Sequence, residues 1–139
     1  MADRVRDVMT GDLVTVSSGT TVIEAAQQMR DADVGNVIVL DGDHVAGIVT
    51  DRDVTVRATA EGLDPAKTPV SRIFSRDLLS VAPDDTLDKA MTIMRKNAVR
   101  RLPVVDGVRP VGVVSLGDLA AERDPTTALA EISAAPANR

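Results

Sequence analysis

The most restrictive feature of this sequence is an internal repeat. Residues 15–54 align without a gap on residues 80–119, at an offset of 65, and 12 of the 40 aligned positions are identical. A repeat of this kind predicts two copies of one supersecondary unit. The chain of 139 residues is long enough for one domain or for two small halves that share a buried core.

Each copy has the hydrophobic pattern of a β-α-β-β-α unit. An Asp-Gly dipeptide between the last two apolar runs is a strong hairpin signal. The predicted strands cover residues 13–16, 34–40 and 45–49 in the first copy and residues 79–81, 99–105 and 111–114 in the second. The predicted helices begin after Thr20 or Thr21 and after Asp85 or Thr86, and later cover residues 54–60 and 119–122.

Both copies end in the pattern Gly-apolar-apolar-Thr/Ser-x-x-Asp, at residues 47–53 and 112–118. A hydroxyl three residues ahead of an acid at a helix start is close to a capping box. The same pattern suits a sugar phosphate, because helix N-terminal N–H groups favour phosphate and a carboxylate can accept ribose hydroxyls. The motif alone leaves both interpretations open, and the two are compatible.

The composition excludes several classes of function. A net charge of −5, with no basic tract, argues against nucleic-acid binding, which needs many Lys and Arg contacts to phosphate. The lack of cysteine excludes disulfides, thiolate metal sites and cysteine nucleophiles. His44 is the only histidine and lies in a turn-like segment, so a histidine-based triad is excluded. Asp84 and Asp85 fall at a helix start, where acids are favourable. We therefore predict no enzyme activity, no catalytic residue and no metal site.

The location and the core follow from the apolar residues. The chain has one Phe and no Trp or Tyr, so its core must be aliphatic, and a bound base would lie between aliphatic side chains. No stretch approaches the roughly 20 apolar residues of a membrane span, and the N-terminus lacks a signal-peptide pattern. We expect a cytoplasmic protein.

The duplicated unit with its repeated terminal pattern resembles the tandem CBS domain, also called the Bateman module. Residues 5–10 are similar to the opening of that family, and residues 99–106 are similar to its middle strand. The resemblance implies an α/β (α+β) fold of two β-α-β-β-α CBS repeats packed about a pseudo-twofold axis, with two clefts between them. The turn-forming residues between the copies and the Ala-, Thr- and Pro-rich end complete the division into a first CBS motif, a linker, a second motif and a C-terminal tail with room for a short helix. These cover residues 5–60, 61–72, 73–122 and 123–139.

The resemblance implies that the clefts bind an adenine nucleotide or another adenosyl ligand. In the second cleft Asp118 would accept the ribose hydroxyls, and Ser115 would meet a phosphate. The charge for the phosphates would come from Arg100 and Arg101. The first half would line the same cleft with Met9, Asp12, Val14, Val34 and Gly35. The first cleft would be formed by Thr50, Arg52, Asp53, Gly35 and Asn36, with Leu79 and Val99 from the second half.

The two copies differ in charge. The second copy has Arg100 and Arg101 where the first has Gly35 and Asn36, and arginine suits phosphate because its planar fork can form two charge-assisted bonds. Arg52 has only a glycine as its counterpart in the second motif, and the neighbouring acid in the first copy partly offsets its charge. We therefore expect the second cleft to bind more tightly. The alternative is that the arginine pair forms surface ion pairs worth about 0–1 kcal/mol each.

The resemblance, together with the hydroxyl–aspartate motifs, implies a regulatory or sensor module that binds AMP, ADP or ATP, and for which no cofactor is required. The resemblance implies a homodimer, and we also expect a regulated protein partner, but no nucleic acid or membrane partner. The alternative is a ligand-free interaction module that docks and regulates a partner protein through the same apolar helices. A partner pull-down that responds to nucleotide would favour the sensor, and one that is indifferent to it would favour the interaction module.

Overall fold

The computed structural model describes residues 3–11, 13–74 and 79–123. The predictions for Asp12 and for the tail beyond residue 123 lie outside these ranges. The described residues form two compact units, one within Leu13–Leu78 and one that combines parts of Met1–Asp12 and Leu79–Arg139. Each unit contains one copy of the repeat, and we name them the first-copy unit and the second-copy unit. The mixed α/β fold predicted from the repeat is confirmed.

The first-copy unit follows the predicted β-α-β-β-α order, and the second-copy unit follows it except for its first strand, which is reduced to a single bridge. In the described ranges, no helix is long and apolar enough to cross a membrane. The elements are α1 (Val5–Val8), β1 (Thr15–Ser17), α2 (Val22–Ala32), β2 (Asn36–Asp41), β3 (His44–Thr50), α3 (Asp51–Asp53, continued by the π-helical Val54–Thr59), a 3₁₀ turn (Val70–Arg72), α4 (Leu87–Asn97), β4 (Arg101–Asp106), β5 (Arg109–Ser115) and α5 (Leu116–Arg123).

The first-copy unit contains a three-stranded sheet in the order β1-β2-β3. β1 pairs in parallel with β2, and β2 forms an antiparallel hairpin with β3 whose register joins Asn36 with Thr50 and Asp41 with His44. Gly42 lies in the turn with a φ of 63°, a left-handed conformation that glycine adopts without steric cost. The Asp-Gly hairpin prediction is therefore confirmed.

The second-copy unit repeats this hairpin with β4 and β5, and the register joins Arg101 with Ser115 and Asp106 with Arg109. The strand predicted at residues 79–81 is shorter than expected, because its described residues contribute a single parallel bridge between Val81 and Val104.

Helices α2 and α4 bring a buried face to each unit. Their N-caps are Thr21 and Thr86, and each accepts through Oγ1 from the backbone N–H three residues later, at 3.3 and 3.1 Å. The buried residues recur at helical spacing and pack into two aliphatic cores. They are Val22, Ala25 and Met29 in α2 and Leu87, Ala90 and Met94 in α4.

The segment that precedes the first copy packs in the second-copy unit. Val5 is fully buried in the core of that unit, and its N–H donates to the carbonyl of Asp85 at 2.9 Å. Thr10 exchanges two backbone hydrogen bonds with Val113, at 2.9 and 3.0 Å. Residues 4–10 are therefore a structural part of the second copy.

The segment that precedes the second copy occupies the corresponding place in the first-copy unit. Val70, which follows Val5 by the repeat offset of 65, is fully buried in the first core and donates its N–H to the carbonyl of Thr20 at 2.8 Å. The carbonyl of Thr68 accepts from the N–H of Val22, also at 2.8 Å. The two lead-in segments, residues 4–10 and 68–74, are thus exchanged, and each packs on the copy that it does not precede.

Candidate functional site

The hydroxyl–aspartate pair of the second copy forms a reciprocal capping box where β5 ends and α5 begins. The Oγ of Ser115 accepts from the N–H of Asp118 at 3.1 Å, and Oδ2 of Asp118 accepts from the N–H of Ser115 at 2.9 Å. Both residues are half-buried. The capping interpretation of this motif is confirmed, and it explains why a hydroxyl and an acid occur three residues apart.

Capping leaves part of each side chain available to a ligand. The hydroxyl of Ser115 acts as an acceptor in the cap, so its own proton can still be donated. Asp118 uses only Oδ2 in the cap, and its Oδ1 has no hydrogen-bond or ion-pair partner among the described residues. A carboxylate oxygen and a hydroxyl proton therefore lie together at the first turn of α5.

The backbone of β4 brings the two predicted arginines to the same place. Arg101 is the register partner of Ser115, and the carbonyl of Arg100 accepts from the N–H of Leu116 at 2.8 Å. The side chain of Arg100 is exposed, and that of Arg101 is half-buried. We call Arg100, Arg101, Ser115 and Asp118 the second-copy polar edge, and all four belong to one compact unit.

The first copy has an equivalent edge built from Gly35, Asn36, Thr50 and Asp53. Thr50 and Asp53 form the same capping box. Oγ1 of Thr50 accepts from the N–H of Asp53 at 3.2 Å, and Oδ2 of Asp53 accepts from the N–H of Thr50 at 2.9 Å. Asn36 is the register partner of Thr50, and the carbonyl of Gly35 accepts from the next N–H after Thr50 at 3.0 Å. Arg52 lies exposed in the first turn of α3. We call Gly35, Asn36, Thr50 and Asp53 the first-copy polar edge.

Among the residues that the structure describes, a basic side chain contacts Asp53 of the first copy, and none contacts Asp118 of the second. Oδ1 of Asp53 lies 3.6 Å from Nε of Arg57, one helical turn further along the chain. The corresponding position in the second copy, 65 residues later, is Glu122. The sequence analysis missed Arg57, although its spacing of four residues from an acid is a recognised ion-pair signal on a helix.

The apolar residues predicted to line the clefts divide between the two units. Met9 lies in the second-copy unit, where its Sδ is close to Gly112, although the prediction grouped it with the first half. The predicted lining residues that pack against the second core are Leu79 and Val99, and Val14 packs against the first core. Val34 is exposed. The binding roles of these residues stay predictions.

The acids that begin the second copy make local contacts. Asp84 pairs with Arg6, and Asp85 accepts from the N–H of Ala82 at 2.8 Å. That hydrogen bond, followed by the neighbouring Lys89, holds the pKa of Asp85 below its usual range. No cluster of three or more His, Asp or Glu side chains able to hold a metal ion occurs in the part of the chain that the structure describes.

Comparisons with known proteins agree with the repeat and with the fold. The family model of the CBS domain matches twice, at residues 5–58 and 70–124. The CBS domain-containing protein YhcV of Bacillus subtilis is 43% identical over 116 residues, which cover 84% of this chain and 82% of YhcV. The crystal structure of hypoxic response protein I, solved with two coordinated zinc ions, is 31% identical with a TM-score of 0.77. That match covers 84% of this chain and 96% of the other.

A more distant structure shows a likeness in fold alone. The CBS domain pair of protein MJ0100, solved in complex with 5′-methylthioadenosine and S-adenosyl-L-methionine, is 24% identical with a TM-score of 0.79. The match covers 89% of this chain and 98% of the other. The two family matches together span most of the sequence, and the chain therefore belongs to the CBS-domain family and carries two CBS domains.

Proposed function

We propose that this chain is a regulatory module that binds an adenine nucleotide, AMP, ADP or ATP, at the second-copy polar edge. The observation that carries the proposal is the arrangement around Asp118. A half-buried carboxylate, one of whose oxygens has no partner among the described residues, lies at a helix start beside a hydroxyl. Next to it, Arg101 begins strand β4 and Arg100 precedes it. A ribose phosphate needs acceptors for its hydroxyls and donors with positive charge for its phosphate, and this edge supplies both.

Each residue of the edge has a distinct proposed role. Oδ1 of Asp118 accepts hydrogen bonds from the ribose hydroxyls while Oδ2 continues to cap α5. The hydroxyl of Ser115 donates to a phosphate oxygen, and the positive N-terminal end of the α5 dipole favours the same anion. Arg100, which is exposed, supplies a guanidinium for the phosphates, and Arg101 adds a second positive charge nearby.

The adenine base has aliphatic neighbours in this proposal. The chain contains a single aromatic residue, so a base cannot be held between stacked rings. Met9 is half-buried at the second core, and the predicted lining residues Leu79 and Val99 pack against that core as well. Methionine and valine side chains give the base apolar contact area without a specific hydrogen bond.

One structural neighbour supports an adenosyl ligand in general rather than one nucleotide. The domain pair of MJ0100 was solved with two adenosine-containing compounds, and it has the fold of this chain. A ligand that binds only the folded state stabilises that state, and the stabilisation grows with ligand concentration relative to the dissociation constant. This linkage is how the nucleotide concentration would regulate the module. Cytoplasmic location, homodimer formation, a regulated protein partner and the lack of enzyme activity are further parts of this proposal.

Isothermal titration of Asp118→Asn tests the proposal. Asparagine keeps a side-chain oxygen that can accept from the N–H of Ser115, so the cap survives while the charge that holds the ribose is lost. Hydrogen bonds to charged groups contribute about 1.5–3 kcal/mol. We therefore expect the affinity for AMP, ADP or ATP to fall about tenfold or more, with little change in melting temperature.

The matched control is Asp106→Asn, which removes one charge from the exposed hairpin turn of the same copy. It should bind nucleotide as the unaltered chain does, because Asn-Gly serves that turn as well as Asp-Gly. No heat with millimolar AMP, ADP, ATP or S-adenosylmethionine, together with an unchanged melting temperature, would contradict the proposal and favour the ligand-free interaction module. Equal binding by Asp118→Asn and Asp106→Asn would place the site elsewhere.

A further inference from the structure

Arg57 holds the aspartate of the first-copy polar edge in an internal contact. Oδ2 of Asp53 accepts from the N–H of Thr50 at 2.9 Å, and Oδ1 faces Nε of Arg57 at 3.6 Å. The other end of the guanidinium is anchored as well, because Nη1 of Arg57 donates to the carbonyl of Ile73 at 3.4 Å. Both oxygens of Asp53 therefore have partners within the first-copy unit.

The contact of Arg57 with Ile73 joins the helix that carries Asp53 and Arg57 to a separate segment of the first-copy unit. Ile73 is almost fully buried in the first core and lies in the lead-in segment, residues 68–74, that packs on the first copy. The carbonyl that receives Arg57 is thus held by a packed backbone. The side chain of Asp53 is 17% exposed and that of Arg57 is 50% exposed, so the pair is shielded from solvent on its carboxylate side only.

The second copy cannot make this contact. Glu122 occupies the position of Arg57, and a glutamate one turn after Asp118 is a like charge that cannot pair with it. The two polar edges therefore differ in whether Oδ1 of the motif aspartate can accept a hydrogen bond from a ligand. Oδ1 of Asp118 has no partner among the described residues, whereas Oδ1 of Asp53 faces a guanidinium.

We propose that Arg57 is an intramolecular competitor for the ribose at the first-copy polar edge, so that the chain binds one nucleotide, on its second copy. This inference rests on the proposed function and adds a residue that determines which copy is occupied. A ribose that approaches Asp53 must displace the guanidinium or share the carboxylate with it, and either costs binding energy that the second copy does not lose.

Removal of Arg57 should change the nucleotide affinity in opposite directions for a competitor and for a phosphate ligand. If Arg57 were a phosphate ligand, its loss would weaken nucleotide binding, because a cation that contacts phosphate contributes charge-assisted bonds. As a competitor, Arg57 has the opposite effect, and its loss strengthens binding at the first copy although the chain becomes more negative. An exposed ion pair is worth up to about 1 kcal/mol, which sets the expected gain at about two- to fivefold.

The experiment uses titration of the full chain with AMP, in two backgrounds. In the unaltered chain, we expect about one AMP per chain, and Arg57→Gln should raise this number towards two at high AMP concentration. In the Asp118→Asn background, where the second copy is impaired, Arg57→Gln should raise the remaining affinity by about two- to fivefold. Lys67→Gln is the matched control, since it removes one exposed positive charge from the same unit and should leave or slightly weaken binding.

Each outcome decides the inference. Arg57→Lys keeps the charge near Asp53 and should behave as the unaltered chain does, provided that thermal melting shows all variants to be folded. Weaker AMP binding by Arg57→Gln, or binding equal to that of Lys67→Gln in both backgrounds, would overturn the role of Arg57 while the proposed function stands. A chain that binds no AMP in any form would overturn both, so the two failures are distinguishable.

Discussion

Gly112 shows how a single residue of the repeated motif connects two distant parts of the chain. A Cβ added at this position would lie 2.7 Å from Sδ of Met9 and 2.9 Å from the backbone oxygen of Thr10. Contacts this short do not occur between real Cβ atoms and backbone, so the lead-in segment can approach β5 only where the side chain is a hydrogen. The glycine of the motif is thus explained by packing, independently of any ligand.

Substitution of Gly112 by alanine should therefore destabilise the protein. Met9 can rotate away, but the carbonyl of Thr10 is held by its two hydrogen bonds to Val113, so strain remains in the backbone. We expect a loss of about 1–3 kcal/mol in the free energy of unfolding, measured by urea denaturation. Gly19→Ala is the control, because an added Cβ there meets nothing within 4 Å. Equal stabilities of the two variants would contradict the packing explanation.

The elements that the sequence predicts well are those with local signals. Of the capping residues that the sequence offered, Thr21 and Thr86 are the N-caps of α2 and α4, and both hairpins turn at Asp-Gly. The first strand of the second copy is weaker than its apolar residues suggested, because only Val81 forms a bridge. Strand pairing depends on the partner as well as on propensity, and a short apolar run does not encode that partner.

The exchanged lead-in segments could not be predicted in this way. Their hydrogen bonds join residues far apart in the sequence, such as Val5 with Asp85, and hydrophobic periodicity reports only local geometry. The contact between Asp53 and Arg57 is different, since it joins residues on one helical face and its spacing is visible in the sequence. Geometry was still needed to show that the guanidinium also reaches Ile73.

The exchange can be tested with a matched pair of substitutions, Val5→Ala and Val70→Ala. Both valines are fully buried. Each substitution removes two methyl groups from a core, so we expect a loss of about 1–3 kcal/mol in the free energy of unfolding. Hydrogen exchange should show the loss of protection mainly in α4 and β5 for Val5→Ala, and mainly in α2 and β3 for Val70→Ala. Loss in the first-copy strands on substitution of Val5 would contradict the assignment of the lead-in segments.

At the scale of the whole molecule, the repeat provides two chemically different copies of one edge. Both carry the capping box, so the duplicated fold accounts for the hydroxyl and the aspartate in each. Only the second carries paired arginines, and only the first has Arg57 beside its aspartate. Two or three substitutions in one copy are enough to change the charge of its polar edge and to leave a carboxylate oxygen without a partner. A repeat can therefore give two copies with different binding properties without a new fold.

The most direct test of the central claim is a crystal structure of the chain grown with AMP. The account predicts density for one nucleotide whose ribose hydroxyls lie within hydrogen-bond distance of Asp118, with the phosphate near Ser115 and Arg100. Nucleotide bound away from Asp118, or a fully formed second-copy polar edge that stays without AMP at millimolar concentration, would contradict it.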